Sequence, residues 1–165
     1  MRISASSSVR ALTVAIMAAW VAAFTGTATR AQVAATNLLN VYEQASASTC
    51  LNTPGCRVDF SAVSKNLKVL RVSCLIDIQS NGVNSLIADF ELGNASSDQT
   101  SYFFGEYLAP LQLLSSTGVD QIYIANIETL HVVPAGLRPS ILIVTRINPS
   151  VPIAAQCSIS GTYLD

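Results

Sequence analysis

Two segments of alternating apolar and polar residues, each carrying a cysteine, place the strongest constraint on the fold of this chain. In the first segment, one side of a strand carries Leu70, Val72, Cys74, Ile76 and Ile78. In the second, near the C-terminus, one side carries Ala155, Cys157, Ile159 and Tyr163. A period of two residues is typical of a β-strand with one buried face. We therefore expect both cysteines to point into a core.

The four cysteines predict two disulfides. An even number of cysteines in an exported chain indicates a disulfide framework, although three pairings can be drawn. The alternation favours Cys74 with Cys157, which ties the C-terminal strand to a central one, and Cys50 with Cys56, which closes a short loop. A metal site is the alternative use of these residues. No CxxC pair and no Cys/His cluster occurs, so we expect neither a metal nor a cofactor.

The first 31 residues have the pattern of a secretory signal peptide. Two arginines precede the apolar run 11–24, and the small-residue stretch 29–31 offers a cleavage site. A membrane anchor is the alternative, but a spanning helix needs roughly 20 apolar residues. We therefore expect 1–31 to be removed and 32–165 to form one domain with no membrane span. Its compartment would be periplasmic or extracellular, and the Ala-rich leader favours a bacterial source.

The charge balance argues against a nucleic-acid partner. Without the leader, six basic residues remain against ten acidic ones, a formal net charge of −4. Nucleic-acid binding depends on clustered Lys and Arg side chains that displace counterions from phosphates. The nearest cluster is Lys65, Lys68 and Arg71, which we interpret as a solvated strand edge that discourages aggregation.

Short apolar runs separated by Ser, Asn, Gly and Pro clusters predict many short strands. Two segments, 32–48 and 108–114, are ambiguous because they also contain helix-forming residues. The turn 134–139 between two apolar strands predicts an antiparallel hairpin. We predict strands near 39–44, 57–63, 67–78, 85–92, 101–113, 121–133, 139–147 and 154–164.

These eight strands predict an all-β fold, a two-sheet antiparallel β-sandwich that is jelly-roll-like, with an immunoglobulin-like sandwich as the alternative. The Cys-Trp-Cys signature of immunoglobulin domains is absent, since the sole tryptophan, Trp20, lies in the leader. Two short motifs, Val72–Ile76 and Cys157–Leu164, resemble those of small exported bacterial β-sandwich proteins to which no function is assigned. That resemblance implies an extracytoplasmic β-sandwich and carries no activity.

Catalytic interpretations of the sequence are weak. A Ser-His-Asp triad would have to use His131, the sole histidine, but this residue lies in an apolar strand segment and no GxSxG motif occurs. Paired carboxylates of a small glycan hydrolase are the stronger alternative. Asp89 and Glu91 share one face of a strand, and Asp77 lies on another strand. The common explanation for such acids is a solvated outer face, so we predict no enzyme and no catalytic residue.

Four of the nine aromatic residues of the mature chain lie close together, at Tyr102, Phe103, Phe104 and Tyr107. Strict alternation places Tyr102 and Phe104 on one face and Phe103 and Tyr107 on the other. At least one pair could then cover a partner or stack on a sugar; the alternative is that both faces pack. The sequence predicts a non-enzymatic binding or self-associating structural module, with a glycan or cell-surface partner or a homo-oligomer.

Overall fold

A computed structural model of the chain describes most of residues 32–165, and strands make up the larger part of these described residues. The described residues are 36–38, 40–51, 55–79, 87–108, 111–117, 120–145 and 152–164. The predicted signal peptide, 1–31, lies outside them. The strands are β1 (Thr36–Leu38), β2 (Val41–Cys50), β3 (Gly55–Asp59), β4 (Leu67–Gln79), β5 (Ile87–Ala95), β6 (Tyr102–Tyr107), β7 (Gln112–Ser116), β8 (Asp120–Glu128), β9 (Val132–Val133), β10 (Arg138–Thr145) and β11 (Ile153–Tyr163).

The strands form two antiparallel sheets around one apolar core, which confirms the all-β class. The larger sheet has seven strands in the order β1-β2-β11-β4-β8-β7, with β9 paired to β4, and the smaller has the order β3-β10-β5-β6. Both sheets supply fully buried side chains, such as Ile76 and Ile159 from the first and Leu92 and Ile143 from the second. Each sheet therefore has one inner face and one outer face.

Both predicted disulfides are present. Cys74 and Cys157 are direct partners in the register of β4 and β11, and both are nearly inaccessible to solvent. Cys50 at the end of β2 is joined to Cys56 on β3, so this bridge connects the seven-stranded sheet to the four-stranded one. One bond therefore clamps two strands inside a sheet, while the other links the two sheets.

A bulge interrupts the alternation of β4. Ser160 pairs with Arg71 and Gly161 pairs with Val69, so Leu70 is an extra residue on β4. The expectation that Leu70 faces the core is wrong: it is exposed, whereas Val69 and Val72 are buried. Its carbonyl instead accepts a hydrogen bond from the Thr129 N–H at 3.0 Å. A bulge reverses the facing of the residues beyond it, which a pattern of strict period two cannot show.

The predicted hairpin around the turn 134–139 is wrong. The turn itself is present, with a Leu137 N–H to Pro134 carbonyl hydrogen bond of 3.1 Å. However, β8 pairs with β4 and β7, and β10 pairs with β3 and β5. The connection 134–137 crosses between the sheets, which lie about 10 Å apart in a sandwich, and its four residues are long enough for that step.

Several predicted boundaries shift. The long strands expected at 101–113 and 121–133 are each divided, into β6 and β7 and into β8 and β9. The described parts of the two ambiguous segments, 32–48 and 108–114, hold strands and no helix. Within the described ranges, nothing meets the length and apolarity that a membrane-spanning helix requires.

Candidate functional site

The aromatic residues of β6 lie on the edge strand of the four-stranded sheet. Phe103, Phe104 and Tyr107 are 51%, 56% and 66% exposed, whereas Tyr102 is half-buried. The alternative in which both aromatic faces pack is therefore wrong. Three large apolar side chains so close together on one edge form a surface that folding alone does not require.

Strict alternation also assigned the aromatic faces incorrectly. Glu91 pairs with Tyr107 and Gly93 pairs with Phe104, so β6 carries one more residue than β5 at this point. This bulge, at Gly105, brings Phe104 and Tyr107 to the same outer face. Their ring centroids are 4.9 Å apart with an interplanar angle of 56°. We call this exposed pair, Phe104 and Tyr107, the aromatic platform.

Polar groups lie beside the aromatic platform on the same outer face. The Tyr102 hydroxyl is 3.5 Å from a carboxylate oxygen of Glu91, at the outer limit of a hydrogen bond. Gly93 allows this arrangement, because any side chain there would collide with the Tyr102 ring. Burial, and then the Glu91 charge, raises the pKa of Tyr102, so its phenol stays protonated. Beside its two rings, the aromatic platform therefore has a carboxylate that accepts hydrogen bonds, from Glu91, and a phenol hydroxyl, from Tyr102.

A buried ion pair fixes the far edge of the same sheet. Asp59 is 1% exposed, and its carboxylate accepts a hydrogen bond of 2.6 Å from the Ser140 hydroxyl. Arg57 Nε lies 3.0 Å from Asp59 Oδ1, and its guanidinium also donates to the Gln99 carbonyl at 2.7 Å. The Gln99 contact ties the turn between β5 and β6 to β3, which holds the platform strand in place.

The three acids proposed for hydrolysis do not form one site. Asp89 and Glu91 lie on the outer face of the four-stranded sheet, between the buried Phe90 and Leu92. Asp77 lies on β4, on the outer face of the other sheet, where its neighbours Ile76 and Ile78 are buried. The core therefore separates Asp77 from the other two carboxylates.

His131 belongs to a polar cluster that closes one side of the sandwich. Its Nε2–H donates to Asn94 Oδ1 at 3.0 Å, and its ring lies against Gly105. The Thr129 hydroxyl accepts from the His131 backbone N–H at 3.1 Å and donates to the Glu106 carboxylate. Burial lowers the pKa of His131 and raises that of Glu106. The cluster joins both sheets, so its contacts are structural ones.

Sequence reasoning missed Asn94, Glu106 and Thr129 as partners of His131. They come from β5, β6 and the segment after β8, and only packing of the two sheets brings them together. The local sequence holds no signal for such a cluster. Asn94 also begins the Asn-Ala-Ser sequon, but its side chain is half-buried and hydrogen-bonded to His131.

An open cleft of about 770 Å³ lies beside this cluster. Its lining includes Glu106, Glu128 and Arg71, and none of the acids that the hydrolase hypothesis named. Arg71 and Glu128 form a long ion pair of 3.8 Å whose two side chains are both well exposed. Within the described ranges, no three His, Cys, Asp or Glu side chains are grouped closely enough to hold a metal ion.

Comparisons with protein families, with curated proteins and with solved structures gave no match. The function must therefore be argued from the surface chemistry of the chain itself.

Proposed function

We propose that this chain is a non-enzymatic, extracytoplasmic binding module that holds a glycan against the outer face of the four-stranded sheet. The observation that carries the proposal is the aromatic platform, two exposed rings in mutual contact beside the Glu91 carboxylate. The apolar C–H face of a sugar packs on an aromatic ring, and its hydroxyls need polar partners at the rim. Phe104 and Tyr107 supply the first requirement, and Glu91 and Tyr102 the second.

The charge around the platform narrows the ligand class. Asp89 and Glu91 both lie on this face. Arg57 is paired with Asp59, and the guanidinium of Arg138 donates to the backbone carbonyls of Ser97 and Phe60. The two carboxylates beside the platform would repel an anionic glycan. A neutral glycan, whose hydroxyls donate to carboxylates, fits the face better.

The strand order supports a jelly-roll-like sandwich as the scaffold of this module. Strands β2-β11-β4-β8 face β3-β10-β5-β6, the alternating order that two interleaved Greek keys generate. Jelly rolls include lectin domains, but a shared fold does not by itself assign a function. The two disulfides support an oxidising compartment, periplasmic or extracellular, and therefore the export signal.

Affinity electrophoresis in gels that contain neutral or anionic polysaccharides tests the proposal. We expect a neutral polysaccharide to retard the oxidised chain, and Tyr107→Ala to lose that retardation. Leu114→Ala is the matched control, because Leu114 is 62% exposed but belongs to β7 of the other sheet. Equal retardation of both variants, or retardation in anionic gels only, would contradict the proposal.

A further inference from the structure

We propose that the outer face of the seven-stranded sheet is covered by a second copy of this chain, in a two-fold symmetric dimer. We call this surface the neutral face. Its central positions hold small or uncharged side chains around an exposed leucine: Ala47, Ser73, Leu75, Ile124, Gln156 and Ser158.

The side chains at the centre of the neutral face favour contact with another sheet over exposure to water. Leu75 is 45% exposed at the middle of the sheet, where β4 pairs with both β11 and β8. Gln156 and Ile124 are its register partners on either side, and neither carries a charge. A shallow depression of about 570 Å³ lies over this region. Interface centres are depleted of charged residues in the same way.

The area of the neutral face matches what a stable dimer needs. The six strands that run side by side, about 4.8 Å apart and about nine residues high, present a face of about 900 Å². Specific protein–protein interfaces bury about 800 Å² on each partner. A second copy of the chain carries the same neutral face. In a two-fold symmetric dimer the same patch is used on both copies, so a second copy supplies a surface of matching composition and size.

Charges at the two ends of the neutral face define the orientation. Among the described residues, one end carries two cations and two carboxylates, and the other end carries two carboxylates. These groups are Lys68, Arg71, Glu43 and Glu128 at the first end, and Asp77 and Asp120 at the second. A two-fold axis parallel to the strands would stack the two acidic ends. An axis perpendicular to β4 instead brings each acidic end to the partner's cations.

Asp77 lies on the neutral face with part of its carboxylate buried. Its Oδ1 is buried without a hydrogen-bond partner among the described residues. Burial, reinforced by the charge of Asp120, raises the pKa of Asp77. We place the two-fold axis at Cys74, midway between Arg71 and Asp77 on β4. Each Asp77 then lies near the second copy's Arg71. Each Leu75 packs over the small Ser73 of the second copy. The dimer thereby gives this carboxylate a counter-charge.

The first test compares two leucine variants by light scattering and sedimentation. We expect a dimer for the oxidised wild-type chain. Leu75→Glu should raise the dissociation constant of the dimer by at least about 30-fold, because Leu75 lies at the centre of the proposed interface. Leu51→Glu is the matched control, because Leu51 is 54% exposed and lies between β2 and β3, in the loop that the Cys50–Cys56 bridge closes. Urea melts of both variants verify that they fold.

The second test exchanges charges across the interface. In a dimer of Asp77→Lys, the introduced lysine would face the cation Arg71 of the second copy. In a dimer of Arg71→Glu, the introduced glutamate would face the anion Asp77 of the second copy. Each variant alone should therefore be monomeric. Mixing the two variants should restore a dimer, because the introduced lysine of one chain then faces the introduced glutamate of the other, and the natural pair survives at the opposite end. This rescue distinguishes the proposed orientation from any other dimer.

Three results would overturn the proposal: a monomeric wild-type chain, a Leu75→Glu variant that remains dimeric, or charge variants that do not recombine on mixing. The dimer does not rest on the glycan proposal, since the aromatic platform lies on the opposite face of each copy. If both hold, the two platforms point away from each other and can cross-link a polysaccharide. Leu75→Glu then lowers retention on the polymer but leaves affinity for a short oligosaccharide unchanged.

Discussion

The two outer faces of the sandwich carry different kinds of side chain, although both inner faces contribute to one core. Both inner faces supply buried aliphatic side chains, and the inner face of β2 adds the buried polar residues Gln44, Ser46 and Ser48. The outer face of the four-stranded sheet carries the aromatic platform, a carboxylate and a buried ion pair. At its centre, the outer face of the seven-stranded sheet carries uncharged and mostly small side chains. Since neither outer composition is needed for the core, each indicates what covers that face.

The surface chemistry of the two outer faces suits two different kinds of partner. Rings with polar groups at their rim suit a small amphipathic ligand such as a sugar. A broad face whose described charges lie at its ends suits another sheet, since sheets pack about 10 Å apart through interdigitating side chains.

The largest expected effect concerns the disulfides. Replacing Cys74 and Cys157 by alanine opens the longer loop, with a separation of 83 residues, and should reduce the free energy of unfolding by about 4.6 kcal/mol on the chain-entropy estimate. The matched Cys50→Ala, Cys56→Ala variant, with a separation of 6, should cost about 2.4 kcal/mol. Urea denaturation gives both values. An inverted order would show that the bridge between the sheets matters more than the clamp inside one.

The buried ion pair of the four-stranded sheet gives the next effect. Arg57→Leu leaves the Asp59 carboxylate buried without its cation, and should cost about 3 kcal/mol in free energy of unfolding. Glu128→Gln removes one member of the exposed pair with Arg71 on the other sheet and should cost less than about 0.5 kcal/mol. Similar costs for the two variants would contradict the assigned difference between the sheets.

A smaller effect depends on pH and on the cluster that joins the two sheets. Burial lowers the pKa of His131 below its ordinary value of 6.5, so the unfolded chain binds its proton more readily. The stability contributed by neutral His131 is complete above pH 6.5 and declines as the pH falls below it. His131→Gln should lack this part of the pH dependence. The pKa of the half-buried Glu106 is raised, so Glu106 contributes with the opposite sign, and only the difference between wild type and variant isolates His131.

The sequence was sufficient for the features that depend on period two. Alternation alone paired Cys74 with Cys157 and oriented Phe90 and Leu92 toward the core, because the alternation is regular at each of these positions. It failed at Leu70 and Gly105, where one extra residue reverses the alternation. A glycine inside a strand is a known mark of a bulge, so Gly105 carried a usable signal, whereas Leu70 carried none.

The candidate site was only partly predictable for a related reason. The sequence singled out Tyr102, Phe104 and Tyr107 by composition, but the common outer face of the platform rings depends on the bulge in β6. The contact of Tyr102 with Glu91 needs the pairing of β5 with β6, and the cluster around His131 needs two sheets in contact. Such contacts join residues far apart in sequence, and no local pattern encodes them.

The most direct test of the proposed function is a calorimetric titration of the purified, oxidised mature chain with a neutral oligosaccharide that the gel screen identifies. We expect saturable binding that Tyr107→Ala weakens about tenfold or more through the lost stacking. Leu114→Ala, and Leu75→Glu on the opposite face, should bind as the wild type does. Binding that survives Tyr107→Ala unchanged would contradict the assignment of the aromatic platform as the glycan site.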